Sequence, residues 1–148
     1  MNSAELPSEG ECFEGPSKTL TDAHFLFFSA VTGDAHPIHY DVEYAKNTRF
    51  GKPLAHGLLL AALTALGASN GRERLRGFVF VEQGCRFFKP AVVGDTVRPR
   101  QEVERVWEEG GKLFCRVKTW LLNQRNETLI EGFHLYRVLR DAEKEKKG

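Results

Sequence analysis

Apolar residues fall along this chain in two regimes. Between residues 22 and 69 they come in helix-length clusters, and from residue 78 onward in strand-length runs. Asp22–Val31 (DAHFLFFSAV) predicts a helix, with Thr21 or Asp22 as N-cap and Thr32–Gly33 as its stop, since glycine tolerates the left-handed geometry of a helix end. Asp41–Lys46 predicts one or two helical turns capped by Asp41. His56–Ser69 (HGLLLAALTALGAS) is the clearest helix; it is apolar on nearly every side, which predicts burial all round. A short strand is expected within Glu11–Leu20, and the four segments Phe78–Phe88, Thr96–Trp107, Lys112–Leu122 and Thr128–Leu139 are rich in the β-branched, aromatic and leucine residues of strands. Glu108–Gly111 and Asn123–Glu127 between them are of hairpin length. The strands reach about 36 Å at roughly 3.3 Å per residue, and the helix about 21 Å at roughly 1.5 Å per residue. The economical packing is α+β: a long antiparallel meander forming a curved sheet wrapped around the apolar helix. Alternation is imperfect. Leu113, Cys115, Val117, Thr119 and Leu121 share one face of their strand, but Phe114, Trp120 and Leu122 lie among the charges of the other, which would suit a second contact such as a dimer partner.

Composition narrows the picture without redirecting it. The 148 residues make one domain, and 41% hydrophobic and 28% charged residues are ordinary for a globular chain. A net charge of +1 calls for neither nucleic acid nor an anionic membrane as partner. The longest apolar stretch, Leu54–Ala68, is broken by His56 and Thr64 and is too short for a membrane span. Met1–Gly15 lacks the layout of a signal peptide, and Met1–Gly10 within it reads as a loose leader; the charged Asp141–Gly148 reads as a fraying tail. Cys12, Cys85 and Cys115 are far apart and without metal spacing, so each is expected to be a small buried hydrophobe in a reducing, cytoplasmic protein.

The candidate chemistry sits in two segments, TGDAHPIHYD (32–41) and FGKPLAHGLLL (50–60). Asp34 and His39 are five apart in a loop that Pro37 keeps out of helical geometry. A carboxylate beside an imidazole can hold a water, one taking a proton while the other gives one. The spacing equally fits a turn-capping aspartate and a surface histidine, so both readings stand at this point. His36 and His56 enlarge the cluster, yet no metal-ligand spacing accompanies them and no metal is expected. His24 and His134 have no motif around them and read as structural. Gly57 falls in the first turn of the apolar helix, where amides lack intrahelical partners; its bare N–H suits a developing oxyanion, or the glycine merely relieves crowding. No phosphate loop and no G-x-S-x-G elbow is present. Arg72, Arg74 and Arg76 are either solvated or a phosphate hold.

TGDAHPIHYDVEYA followed by FGKPLAHGLLLAAL resembles the motif of the MaoC-like, (R)-specific enoyl-CoA hydratase family: Gly-Asp, two residues, Pro, one residue, His and Asp, then Pro-[small]-His-Gly opening the central helix. Gly33, Asp34, Pro37, His39, Asp41, Pro53, His56 and Gly57 fit it, and FFKPAVVGDTV (87–97) is similar to a later segment, so the likeness spans about residues 15–138. The resemblance implies a hot-dog fold, homodimers that join their sheets, and syn hydration of a trans-2-enoyl thioester of CoA or acyl carrier protein. It implies Asp34 and His39 as catalytic residues, Gly57, His56, Phe50 and Ala62 as substrate-binding positions, and no metal or redox cofactor. His36 stands where the family commonly has Asn, and Ala62 where many members have Ser; both bear on which acyl group is taken. A hot-dog thioesterase and a non-catalytic acyl-binding subunit are the alternatives.

Overall fold

The computed structural model describes residues 6–67 and 77–140. In chain order it forms β1 (Cys12–Glu14), β2 (Lys18–Thr19), α1 (Asp22–Thr32), a 3-10 turn over Pro37–His39, α2 (Val42–Lys46), α3 (Gly57–Leu63), β3 (Phe78–Phe87), β4 (Thr96–Glu109), β5 (Lys112–Leu122) and β6 (Thr128–Val138). The expected features on residues 68–76, including Arg72, Arg74 and Arg76, on residues 1–5 and on the tail from 141 lie outside the described residues.

The sequence reading of a meander is corrected in one respect. The strand order is β1-β4-β5-β6-β3, all antiparallel, so only β4, β5 and β6 follow one another as neighbours. β4 already has β1 on one flank and β5 on the other, and β3 therefore takes the free edge of β6, from Phe78↔Val138 to Phe87↔Ile130. The β3–β4 connection is tied to the segment before α3: Leu54 bridges Val92, Ala55 N donates to Ala91 O (2.9 Å) and Val93 N donates to Pro53 O (2.9 Å). The β4–β5 turn is only Gly110–Gly111, with φ of 57° and 72°, the doubly left-handed geometry of a two-residue hairpin. Between β5 and β6, Asn123 Oδ1 accepts from the amides of Arg125 (2.9 Å) and Glu127 (3.0 Å). On β6, a Cβ at Gly132 would lie 2.1 Å from Gly84 O, so the approach of β3 admits no side chain there.

One face of the sheet carries the core. Cys115, Val117, Thr119 and Leu121 alternate into it from β5, and Leu20, Phe25, Leu60, Ala61, Val97, Leu121, Leu129 and Ile130 pack as one cluster. α3 is shorter than His56–Ser69. After Leu63 the chain continues in i→i−3 bonds (Thr64 N to Ala61 O, Ala65 N to Ala62 O, Leu66 N to Leu63 O), and the Thr64 hydroxyl donates to Ala61 O at 2.6 Å, competing with the helical ladder. Nor is α3 buried all round: Gly57, Leu58 and Ala62 are exposed, Leu58 to 71%. Of the cysteines, Cys115 is buried and Cys85 half-buried, but Cys12 is exposed, because short β1 lies at the edge of the sheet.

Candidate active site

The loop leaving α1 is built to deliver Asp34. Thr21 and His24 cap the start of α1 reciprocally, with Thr21 N donating to His24 Nδ1 (2.9 Å), and Gly33 at φ 77° ends the helix. Thr32 Oγ1 donates to Phe28 O (2.7 Å) and accepts from Asp34 N (3.2 Å). His36 then caps the 3-10 turn: its Nδ1 accepts from Ile38 N (3.2 Å), the bond an Asn side chain makes at such a position. That turn carries His39 inward, while Asp41 caps α2 by accepting from Tyr44 N (3.0 Å).

Asp34 and His39 meet. Asp34 Oδ1 lies 4.0 Å from His39 Nε2, with the carboxylate 57% exposed and the imidazole buried. That gap is too long for a hydrogen bond and short enough for one water oxygen to sit about 2.8 Å from both. His39 Nδ1 is 2.6 Å from Leu54 O. A carbonyl only accepts, so Nδ1 carries the hydrogen and Nε2 is the nitrogen left for chemistry beside Asp34.

His56, at the N-cap of α3, is 2% exposed and stacked on His39, ring centres 3.6 Å apart and planes 18° off parallel. Its Nε2 is 3.0 Å from Asp34 O and 3.1 Å from Ser29 Oγ. The Asp34 carbonyl fixes the hydrogen on Nε2, and Ser29 Oγ accepts a share of it. With no lone pair there to receive a proton, Ser29 and His56 are not a nucleophile–base pair. Nδ1 is buried without a partner, and Phe28 lies against the ring at 4.8 Å. Burial holds the His56 pKa below the usual imidazole value, the charge of a protonated His39 would push it the same way, and the Asp34 carbonyl pulls against both. Asp34, His39 and His56 each bring a donor atom within 4.8 Å of the others. Stacked rings, however, aim their in-plane lone pairs side by side instead of at one point, a poor fit to a tetrahedral ion.

Gly57 opens α3 beside this stack and is exposed; a Cβ there would be 3.4 Å from the Phe87 ring. Ala62 lies on the exposed side of α3, four residues after Leu58. Phe50 is half-buried in the turn after α2, under the Arg49 guanidinium at 4.8 Å. Sequence reading missed Ser29 and Leu54 O. Ser29 had a signal, a polar residue four after Phe25 on the buried face of α1; a main-chain carbonyl has none.

A sheet with a short apolar helix on its inner face defines a hot-dog fold, and the carboxylate–imidazole pair at that helix's start is its candidate site. The family model for the MaoC like domain matches residues 6–120, and the chain belongs to that family. It is 33% identical over 116 residues to the (R)-specific enoyl-CoA hydratase of Aeromonas caviae, covering 78% of this chain and 84% of that protein. It is 27% identical over 116 residues to a mitochondrial 3-hydroxyacyl-[acyl-carrier-protein] dehydratase of Solanum lycopersicum, covering 78% and 68%. The unliganded R-hydratase structure from Pseudomonas aeruginosa superposes with a TM-score of 0.80 at 26% identity, covering 91% of this chain and 84% of that one.

Proposed function

We propose that this hydro-lyase adds water across the C2=C3 bond of a trans-2-enoyl thioester to give a (3R)-3-hydroxyacyl thioester, and catalyses the reverse dehydration. The observation that carries the reading is the Asp34–His39 pair, 4.0 Å apart with His39 Nε2 turned to the carboxylate. A water held between them adds its oxygen to C3; one member of the pair takes the water's proton and the other gives a proton to C2. Charge that develops on the thioester oxygen meets the Gly57 N–H, at the positive end of α3 and open to solvent. Water, substrate and the two side chains account for every atom, and hydration involves no net oxidation or reduction, so the proposed reaction gives no role to a redox cofactor and assigns none to a metal. Both a CoA-dependent and a carrier-protein-dependent relative match the chain, and either thioester fits the chemistry. Loss of enoyl absorbance with crotonyl-CoA and longer enoyl-CoAs tests the reading, with release of free thiol followed in parallel. Hydration without thiol release is the expected result; thiol release without hydration would make the chain a thioesterase.

The working unit in this proposal is a homodimer. Among the described residues β3 ends the sheet with one edge unpaired, and Val79, Phe80, Val81 and Phe87 on it are exposed, as is Leu58 of α3. An apolar edge of this kind is covered in a stable protein, and pairing two β3 edges would cover it. Among the described residues no helix is long and apolar enough to cross a membrane. Three cysteines free of disulfides fit a reducing, cytoplasmic compartment.

A further inference from the structure

We propose that His56 is a positioning residue of this site: its Nε2–H holds the main chain under Asp34 and its ring braces that of His39, which together keep the carboxylate and the reactive imidazole nitrogen at their working separation. The proposal rests on the hydratase reading and adds to it a residue that touches neither the water nor the thioester. The Asp34 carboxylate is more than half exposed, so packing does little to place it. What fixes its backbone is its amide on Thr32 Oγ1 (3.2 Å) and its carbonyl on His56 Nε2 (3.0 Å). The second bond reaches from the N-cap of α3 across 22 residues and ties the aspartate to the helix whose first amide the hydratase reading sets against the thioester. The same ring lies flat on His39, whose in-plane bond to Leu54 O leaves rotation about that bond to be stopped by a stacked face. His56 is 2% exposed and both polar atoms are withdrawn from solvent, one in these bonds and one without a partner. A buried imidazole with an unmatched nitrogen is a costly way to fill space; leucine would fill it without that cost, and would offer no donor to the Asp34 carbonyl.

The groups facing His56 are Phe25, Phe28 and Ser29 from α1, Asp34 from the loop, and His39 from the 3-10 turn, with His36 beyond His39 at 6.4 Å. Of these, Asp34, His39 and His36 are the ionisable side chains. His56→Phe keeps a flat ring and removes the N–H. His56→Gln carries an amide N–H at nearly the position of Nε2 and removes the aromatic face. A misplacement of about 1 Å at the reacting groups costs on the order of 100-fold. The expected result is a fall in kcat of about that size for His56→Phe with KM within about twofold, and recovery of at least about tenfold of the loss in His56→Gln. Unchanged kcat in His56→Phe, or a loss confined to KM, would overturn the proposal, the latter by making His56 a substrate contact. Equal losses in both variants that track their melting temperatures would reduce it to a packing role and overturn it too. The wild-type protein supplies a readout free of folding risk: ring nitrogen NMR at about pH 7, where His56 is expected as the neutral tautomer with hydrogen on Nε2. A neutral ring with hydrogen on Nδ1 alone would leave Nε2 no donor for Asp34 O and sink the proposal. Should the wild type hydrate no enoyl thioester, the reaction reading fails, while the ring measurement still decides whether His56 holds Asp34.

Discussion

Two main-chain carbonyls set the chemistry of the pair. Leu54 O takes the hydrogen of His39 Nδ1, and Asp34 O takes that of His56 Nε2. The first bond turns His39 Nε2 toward Asp34; the second keeps Asp34 where Nε2 can work with it. Asp34→Asn keeps the shape of the side chain and removes its basicity, and His39→Gln puts an amide where a lone pair is needed. Each is expected to lower kcat about 1000-fold, within the range for loss of general acid–base catalysis, and the double variant to be little worse than either single one, because the pair acts as a unit. Steady-state kinetics of the three variants checks this; losses under about tenfold, or losses that multiply, would contradict it. The pairing was legible in sequence as two titratable residues in one proline-shaped loop, and the linked motif around Gly57 singled it out. The bonds that orient the pair were not legible, since one acceptor is the backbone of a leucine 15 residues away in the chain.

At the scale of elements, α3 shows both what patterning conveys and where it stops. Its apolar run located the helix and placed Gly57 at its start, but could not show that Thr64 would turn the ladder to shorter bonds. Thr64 is engaged from the sheet: its hydroxyl donates to Ala61 O and accepts from His134 Nε2 (2.9 Å), whose Nδ1 accepts from the Tyr136 hydroxyl (3.0 Å), while Gln101 Nε2 donates to Thr64 O (2.9 Å). His134, without a motif in the sequence, is thus a buried strut between β6 and the end of α3, and burial lowers its pKa to about 4. The unfolded chain protonates it near the ordinary value of 6.5. Between these values the unfolded state binds the extra proton, so stability is fully present above about 6.5 and is lost as pH falls toward about 4. The loss expected from this residue is on the order of 3 kcal/mol. Urea unfolding at about pH 7 and pH 4.5 is expected to show a smaller drop for His134→Gln than for the wild type, since glutamine can donate to Thr64 and accept from Tyr136 without titrating. Equal drops would remove His134 from the acid sensitivity. The strands themselves were read to within a residue or two, because their runs are long and their turns are marked by Gly110–Gly111 and Asn123. Their order was not, since a pattern of runs does not say that β1 occupies the flank of β4 that a simple meander would give to β3.

For the whole molecule, the exposed apolar residues are unevenly placed. Val79, Phe80, Val81, Phe87 and Phe88 line β3 and the residue after it, and Leu58 stands out from α3 beside Gly57. Pairing of two β3 edges would make one continuous sheet and bring the start of each α3 out of solvent, where the Gly57 amide would act on the thioester in a low dielectric. Sedimentation is expected to give twice the 16.7 kDa chain mass. Val81→Lys, which places a charge on that edge at a residue 54% exposed, is expected to give the monomer with reduced turnover; a monomeric wild type, or a dimer untouched by the lysine, would contradict the pairing. The sequence suggested such a contact on the mixed face of Lys112–Leu122; the proposed pairing uses instead the β3 edge, which the strand order leaves open among the described residues. The most direct measurement of the central claim is chiral analysis of the product formed from crotonyl-CoA by the wild type and by Asp34→Asn. The expected result is (3R)-3-hydroxybutyryl-CoA alone from the wild type and almost none from the variant. A (3S) or mixed product, or undiminished (3R) product without the carboxylate, would contradict it.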